Sequence, residues 1–230
     1  MSNDTVRITV MISGSGTNLQ ALIDATKDDT LPNASIIRVI SNRAKAYGLE
    51  RARNASIPTA YHNLVKYKKP GVDEQLARSE YDRDLAQLVL RDSPDLIICA
   101  GWMHVLAPSF LDPVSEAGIE VINLHPALPG QFDGANAISR AQQAWLDGQI
   151  DKTGVMIHKV IAEVDRGDPL LVKEIRFIEG VDEDMVSLEQ RIHEIEHQAI
   201  VQGATIACKA ILETKNSNRT NQDCYNETKT

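Results

Sequence analysis

The sequence has few cysteines and no long apolar segment. Its three cysteines, Cys99, Cys208 and Cys224, are widely spaced and include no C-x-x-C pair. It therefore predicts neither a disulfide framework nor a cysteine zinc site. No apolar run approaches the roughly 18 residues that a transmembrane helix requires, and residues 1–5 lack the basic and apolar regions of a signal peptide. These absences predict a cytoplasmic protein with no membrane partner.

Positive charge is also scarce. The 230 residues include 24 lysines and arginines against 32 aspartates and glutamates, which gives a net charge of −8. Binding to a nucleic-acid backbone is driven by cationic side chains, so a chain this acidic is not expected to bind nucleic acid in general. A hydrophobic content of 43% is that of an ordinary globular protein.

Short apolar strands alternate with helical segments along most of the chain. The predicted strands cover residues 6–12, 36–40, 57–61, 96–100 and 119–125. One predicted helix begins near residue 18, and the others cover residues 46–54, 81–91, 137–146 and 185–212. This alternation, with central strands apolar on both faces, is typical of an α/β fold with a doubly wound, mostly parallel sheet. Two further extended runs, 154–161 and 169–178, predict a hairpin before the long last helix.

The chain contains no internal repeat and no linker that would separate two domains. We therefore expect a single domain over residues 1–213. Residues 214–230 are rich in Asn, Thr and Lys and have no apolar periodicity. A disordered polar tail is predicted there.

The N-L-H-P motif at the end of the strand 119–125 carries the clearest chemical signal. Asn123 and His125 are two residues apart on the same face of the strand, and Pro126 ends it. Open α/β sheets bind ligands at the carboxyl ends of their strands. Forty residues after the histidine, Asp165 lies in a tight turn that can fold back onto it. An amide, an imidazole and a carboxylate together suit acyl-type transfer, in which an oxyanion is held while protons move.

A glycine-rich segment, S-G-S-G-T-N at residues 13–18, separates the first strand from the first helix. Glycines let a backbone approach an anion closely, and a helix N-terminus supplies N–H donors. As a dinucleotide-binding motif the segment is incomplete, because Leu19 stands at the third glycine position and Asn42 replaces the acid after the second strand. The sequence favours a phosphate-binding loop, with a tight turn that binds nothing as the alternative.

Three histidines outside the N-L-H-P motif require a separate interpretation. His193 and His197 belong to an H-x-x-E-H sequence, the inverted zinc-protease pattern, and share a helix face. Because a third ligand would have to come from elsewhere, we predict no metal site and a polar helix face that is solvated or turned toward a ligand. His158 alternates with apolar residues on a strand, and a structural role is favoured for it over contact with the site.

Together these segments resemble the folate-dependent formyltransferases. The resemblance extends to about Leu212 and rests on motifs in a fixed order: I-S-G-S-G-T-N-L-Q-A-L-I from Ile12, A-Y-G-L-E-R-A from Ala46, A-G-W-M from Ala100, N-L-H-P from Asn123, E-V-D-R-G from Glu163 and E-H from Glu196. Each motif is weak alone, but the set in this order is specific. It implies a Rossmann-like formyltransferase fold.

The resemblance also implies an activity and its substrates. It implies transfer of a formyl group from 10-formyltetrahydrofolate, a co-substrate, to the amine of glycinamide ribonucleotide in purine synthesis, without a metal ion. Asn123, His125 and Asp165 are then the catalytic residues. Asn123 and a protonated His125 would stabilise the oxyanion, by roughly 3–4 kcal/mol per well-placed donor. Asp165 would favour the imidazolium and relay the amine proton through water.

The ligand contacts are carried over by the same resemblance. The expected phosphate-binding residues are Ser15, Gly16, Thr17 and Asn18. The expected contacts of the rest of the ribonucleotide are Met103, His193 and Glu196. The expected folate-binding residues are Trp102, His104, Val105, Leu106, Ile161 and Val164. Two features depart from the family pattern: residues 127–134 read A-L-P-G-Q-F-D-G where S-L-L-P is expected, and His104 stands where an arginine is common.

Four other functions compete with this one. A methionyl-tRNA formyltransferase is expected to carry an additional C-terminal domain and a basic surface, and a formyltetrahydrofolate deformylase usually carries an N-terminal regulatory domain; we expect neither here. An NAD(P)-dependent oxidoreductase is disfavoured by Leu19 and Asn42. A non-catalytic nucleotide-binding module would have no reason to bring Asn123, His125 and Asp165 together.

Overall fold

A computed structural model of the chain describes the backbone of residues 5–227 and the side chains of residues 5–218. Its strands are β1 (Val6–Ile12), β2 (Ala34–Ser41), β3 (Thr59–Tyr61), β4 (Leu96–Cys99), β5 (Glu120–His125), β6 (Lys152–Lys159) and β7 (Pro169–Arg176). Its α-helices are α1 (Thr17–Lys27), α2 (Gly48–Asn54), α3 (Glu74–Leu90), α4 (Pro108–Glu116), α5 (Ala137–Leu146) and α6 (Met185–Glu227). A single 3₁₀ turn is formed by Leu64–Lys66 within the described residues.

The seven strands of the described chain form one sheet in the order β3-β2-β1-β4-β5-β6-β7. The pairs from β3 to β5 are parallel, and β6 and β7 are each antiparallel to the strand before them. The chain runs outward from β1 to β3 and then outward again from β4 to β7, so the direction of winding reverses between β1 and β4. The predicted doubly wound, mostly parallel sheet with a hairpin and a long last helix is confirmed. Ligands bind at such a reversal, at the carboxyl ends of the strands.

Helices cover both faces of the sheet because the central strands carry apolar side chains on both sides. Ile8 and Val10 of β1 pack in one core with α1 and α6, whereas Met11 packs in a second core with α3 and α4. In β4, Ile98 belongs to the first core and Ile97 to the second. Strands buried in this way are rigid, and the residues at their ends are therefore held in fixed positions.

The C-terminal end of α6 differs from the sequence prediction. Composition predicts disorder from residue 214, whereas the structure continues the helix to Glu227. Extending an existing helix adds one hydrogen bond per residue and avoids the cost of nucleation, and Lys215 also pairs with Asp95 at 2.7 Å. The last part of the predicted tail, residues 228–230, lies outside the described residues. Among the residues that are described, no helix combines the length and the apolar character needed to cross a membrane.

Candidate active site

The N-L-H-P motif lies at the carboxyl end of β5, two strands from β1 in the sheet. His125 is the last residue of β5 and is only 3% exposed. Asn123 lies opposite Cys99 of β4 on one side and His158 of β6 on the other. Both side chains therefore lie at the carboxyl ends of the strands, where the strand pattern predicts them.

Asp165 contacts both of these side chains. Its Oδ2 atom is 3.4 Å from Nδ1 of His125, and its Oδ1 atom is 3.4 Å from Nδ2 of Asn123. Each oxygen of the carboxylate thus faces a different partner. The structure therefore brings the three residues predicted as the catalytic group into one cluster.

Backbone geometry fixes the turn that carries Asp165. Asp165 itself has a left-handed φ of 55°, which is uncommon for a residue other than glycine. Its Oδ2 atom accepts a hydrogen bond from the backbone N–H of Gly134 at 2.7 Å. A Cβ atom on Gly167 would lie 1.8 Å from the carbonyl oxygen of Lys159. Only glycine lets the turn pass this close to the end of β6, and the carboxylate is directed at the cluster as a result.

Burial and charge act on these groups in opposite directions. Burial lowers the pKa of His125, and the carboxylate of Asp165, which favours the imidazolium, offsets this effect only in part. For Asp165, burial raises the pKa, but the contact with His158 and the hydrogen bond from the Gly134 N–H outweigh burial and leave the pKa below its usual value. These shifts favour a neutral His125 and an ionised Asp165 at neutral pH.

The tautomer of neutral His125 follows from its neighbours. Nδ1 faces the carboxylate of Asp165, which can only accept, so Nδ1 carries the proton. Nε2 then has a free lone pair, and among the described residues this buried atom has no hydrogen-bond partner. An imidazole whose Nε2 has an unused lone pair and whose Nδ1 faces a carboxylate is arranged to accept a proton at Nε2.

His158 also belongs to the cluster, although the sequence favours a structural role for it over contact with the site. Its Nε2 atom is 3.1 Å from Nδ2 of Asn123 and 3.5 Å from Oδ1 of Asp165. Its Nδ1 atom donates to the carbonyl oxygen of Lys159 at 2.8 Å, which leaves Nε2 to accept from the amide of Asn123. The signal that would have found it is the antiparallel register of β5 and β6, and one sequence alone does not reveal strand pairing.

A cavity of about 300 Å³ opens beside the cluster. Its lining includes Met103, the three clustered residues and every residue predicted to bind folate: Trp102, His104, Val105, Leu106, Ile161 and Val164. One wall is the segment between β4 and α4, and the other is the segment between β6 and β7. The volume and the mostly apolar lining suit a flat aromatic ring system.

His104 in the cavity wall pairs with a buried carboxylate that the sequence analysis missed. Its Nε2 atom is 2.8 Å from Oδ1 of Asp82, and the second oxygen of Asp82 accepts the Ala107 N–H at 3.1 Å. Asp82 is fully buried and belongs to α3, so one carboxylate joins α3 to the cavity wall. The available signal was an acidic residue next to Tyr81 and Leu85 on the apolar face of the predicted helix.

The glycine-rich turn after β1 has the geometry of an anion site. Gly16 has a φ of 72° and directly precedes α1, which begins at Thr17. The first N–H groups of a helix have no acceptor within the helix and carry the positive end of its dipole. A Cβ atom on Gly16 would lie 2.6 Å from the Cα atom of Gly48. Glycine is thus required both by the backbone conformation and by the contact with α2, and the turn can hold a phosphate.

Asn18 and Glu196 join this turn to the last helix. Nδ2 of Asn18 donates to Oε2 of Glu196 at 3.0 Å, and both side chains are buried. Burial raises the pKa of Glu196, and the hydrogen bond from Asn18 opposes that rise. In the described part of the chain, Oδ1 of Asn18 is buried without a hydrogen-bond partner. His193, the other predicted contact on α6, is exposed one turn earlier.

Ser13 connects the glycine-rich turn to the cavity wall. Its N–H donates to the carbonyl oxygen of Gly101 at 3.0 Å, and its hydroxyl accepts the N–H of Met103 at 2.8 Å. Met103 lines the cavity and is exposed at this junction. A ligand bound at the turn and a ligand bound in the cavity would therefore be neighbours.

The H-x-x-E-H motif does not form a recognisable metal site in the structure. Among residues 5–218, no group of three or more His, Cys, Asp or Glu side chains is placed to hold a metal ion. Glu196 of the motif is instead bonded to Asn18. Burial, together with the charge of His193, lowers the pKa of His197.

Comparison with known proteins agrees with this geometry. Residues 6–204 match the family model described as formyl transferase. The chain is 47% identical to the phosphoribosylglycinamide formyltransferase of Schizosaccharomyces pombe, over 85% of this chain and 93% of that protein. It is 48% identical to the protein of the same name from Saccharomyces cerevisiae, over 85% and 94% of the two chains. Among solved structures it is similar to glycinamide ribonucleotide transformylase 1 from Symbiobacterium toebii, with a TM-score of 0.77, 30% identity and coverage of 90% and 89%.

Proposed function

This chain belongs to the formyl transferase family, and from that premise we propose that it transfers the formyl group of 10-formyltetrahydrofolate to the amine of glycinamide ribonucleotide. The products are formylglycinamide ribonucleotide and tetrahydrofolate, in the synthesis of the purine nucleotide IMP. The observation that carries the proposal is the cluster of Asn123, His125 and Asp165 beside the cavity. It occurs in a chain that aligns with 93% and 94% of the length of two relatives named for this reaction.

In this proposal the ribonucleotide binds across the first turn and the last helix. Its phosphate accepts hydrogen bonds at the N-terminus of α1, from the group Ser15, Gly16, Thr17 and Asn18. Glu196 uses Oε2 to accept from Asn18 and has Oε1 available for a ribonucleotide hydroxyl. Met103 lies beside the ribonucleotide, and exposed His193 assists Glu196 in contacting it.

The folate binds in the cavity, with its pterin between the two walls. Buried Trp102 and Leu106 supply apolar surface on one side, and Ile161 and Val164 do so on the other. Val105 and His104 complete the first wall. A pterin held there brings the formyl group next to the cluster, because the same cavity is lined by Asn123, His125 and Asp165.

Transfer begins when the amine nitrogen attacks the formyl carbon. A C–N bond forms, and negative charge develops on the formyl oxygen. Asn123 donates an amide N–H to this oxygen, which is worth roughly 3–4 kcal/mol for one well-placed donor. Of its two contacts, the 3.4 Å contact with Asp165 is longer than the 3.1 Å contact with His158. The proton facing Asp165 is therefore the one free to turn toward the oxyanion.

His125 moves the proton. Its Nε2 atom takes the proton that the amine loses, and Asp165 stabilises the imidazolium that forms. The bond between the formyl carbon and N10 of the folate then breaks, with its electron pair passing to N10. Imidazolium delivers its proton to N10, which releases tetrahydrofolate and restores neutral His125. We propose this direct transfer to Nε2 in place of the water relay through Asp165 that the family resemblance implies.

The proposed reaction requires no metal ion, nucleic acid or membrane. Its acceptor and its formyl donor are small metabolites. We propose the cytoplasm as the location, which fractionation of cells that express a tagged chain would test.

One assay tests the proposal directly. Folate absorbance is followed with the purified protein and 10-formyltetrahydrofolate, with and without glycinamide ribonucleotide, and the formylated product is identified by mass spectrometry. We expect the absorbance to change only with the ribonucleotide present. An equal change without it would indicate hydrolysis of the folate, and no change in either reaction would refute formyl transfer. His125→Ala is the matched inactive control.

A further inference from the structure

An ion pair joins the loop that carries Asp165 to the segment between β5 and α5. Nε of Arg166 donates to Oδ2 of Asp133 at 2.7 Å, and a second guanidinium nitrogen lies 2.5 Å from the same oxygen. The neighbouring residues are also bonded, because Asp165 accepts the backbone N–H of Gly134 at 2.7 Å. Asp165 and Arg166 of the loop after β6 are thus bonded to Gly134 and Asp133 of the segment before α5.

The segment that carries Asp133 is anchored on its other side by α5. Arg140, in the first turns of α5, donates from its guanidinium to the carbonyl oxygen of Asp133 at 2.6 Å. Its guanidinium carbon also lies 5.9 Å from the ring centroid of Phe132. Asp133 is therefore held by its backbone to α5 and by its side chain to Arg166, which directly follows Asp165.

Both loops have backbone conformations that need such support. Phe132, Asn136 and Asp165 have φ values of 51°, 58° and 55°. A non-glycine residue in this region is strained, and the strain persists only where surrounding contacts fix the chain. Asp133 itself lies in residues 127–134, the segment that departs from the sequence that the family resemblance predicts.

We propose that Arg166 and Asp133 are positioning residues for formyl transfer: their ion pair joins the two loops and thereby holds the Asp165 carboxylate against His125. The inference rests on the proposed function, which gives Asp165 its role. The side chains of Arg166 and Asp133 are 54% and 28% exposed. An ion pair this exposed adds little to folding stability, so its effect on the rate can be measured apart from unfolding.

Arg166→Ala is the main test, made both in the wild-type protein and in Asp165→Asn. In the wild-type protein we expect kcat to fall about 10-fold, since small displacements of a catalytic group are costly. The KM for glycinamide ribonucleotide should change little. In Asp165→Asn we expect no further loss of kcat, because the positioned carboxylate is already absent. Arg166→Lys should recover part of the rate, since an ammonium group can still pair with Asp133.

Asp133→Asn supplies the second arm of the test. At a pH above the acid limb, where the effect of the Asp133 charge on the pKa of His125 does not alter the rate, it should lower kcat as Arg166→Ala does. The double variant should then be no slower than either single variant, because one contact is removed in all three. Arg176→Ala is the matched control. It removes a different exposed ion pair, with Asp151 at 3.2 Å, and should leave kcat unchanged.

The outcomes separate this inference from the proposed function. Wild-type kcat in Arg166→Ala, in a protein that carries out formyl transfer, would overturn the positioning role alone. An equal further loss in the Asp165→Asn background would also overturn it, because the substitution would then be acting on something other than Asp165. A wild-type protein without formyl transfer would refute the proposed function and this inference together.

Discussion

Asn18 and Glu196 are 178 positions apart in the sequence, yet the amide nitrogen of one lies 3.0 Å from the carboxylate of the other. This contact makes the last helix part of the glycine-rich turn at the start of the chain. It also orients Asn18, whose buried Oδ1 has no hydrogen-bond partner among the described residues. The two halves of the proposed ribonucleotide site are therefore assembled by the packing of α1 against α6.

Glu196→Gln should raise the KM for the ribonucleotide about 10-fold or more, since a hydrogen bond to a charged group is worth about 1.5–3 kcal/mol. Glutamine keeps an oxygen that accepts from Asn18, so the fold should survive. The KM for the folate should stay unchanged. Glu194→Gln, at an exposed position of the same helix, is the control. Steady-state kinetics with each substrate varied makes the measurement, and equal changes in both KM values would contradict the assignment.

His125→Ala, Asn123→Ala and Asp165→Asn should each lower kcat by about 100-fold or more, roughly 3 kcal/mol. Each removes a group that acts on the oxyanion or on the transferred proton. The losses of kcat should not be additive in double variants, because the three residues act as one unit. Circular dichroism and thermal melts should show intact folds. Near-normal turnover of His125→Ala would refute the mechanism even with the family assignment intact.

Local patterns predict the fold and part of the site for physical reasons. The apolar run of β5 ends at Pro126, and this pattern predicts the carboxyl end of a strand on which Asn123 and His125 share a face. What the patterns miss depends on tertiary neighbours. His158 enters the cluster only because β6 pairs with β5, and Asp82 meets His104 only because α3 packs beside the cavity wall. The lowered pKa of His125 could not be predicted either, because it depends on how deeply the ring is buried in the folded chain.

Asp82→Asn should raise the KM for the folate several-fold and leave the KM for the ribonucleotide unchanged. Asparagine keeps an acceptor for the Ala107 N–H but loses the charge that holds His104 in the cavity wall. Melting should also show a stability loss of about 1–3 kcal/mol, the cost of a buried polar group that loses its partner. Asp84→Asn, two residues along α3 and bonded to Tyr67 instead, is the control. An unchanged folate KM in Asp82→Asn would mean that the pair does not shape the pocket.

Ending the chain after Glu213 should leave kcat unchanged and lower the melting temperature only slightly. The truncation removes Lys215 and its ion pair with Asp95, in which the two side chains are 33% and 20% exposed. A partly exposed pair contributes about 0–1 kcal/mol, and 1 kcal/mol corresponds to about 2–4 °C in a chain of this size. Lys215→Ala in the full chain should reproduce the part of the change that this ion pair causes. A much larger loss on truncation would show that the rest of the segment packs on the domain.

The rate should fall at acid pH with a limb that reports His125. Burial holds its pKa below the ordinary value of 6.5, and the proposed mechanism uses the neutral imidazole, so kcat/KM should decline as pH drops through that lowered pKa. The carboxylates of Asp165 and Asp133 raise the pKa of His125, whereas His158 lowers it.

Asp165→Asn removes the carboxylate that raises the pKa of His125 most, so the acid limb should move to still lower pH. The profile of kcat/KM reports the free protein and is the quantity to measure, because bound substrate changes the surroundings of His125. The Arg176→Ala protein, altered far from the cluster, should keep the wild-type limb. If the rate instead rose on acidification through this range, the imidazolium would be the reactive form, and His125 would act as a charged donor rather than as the base.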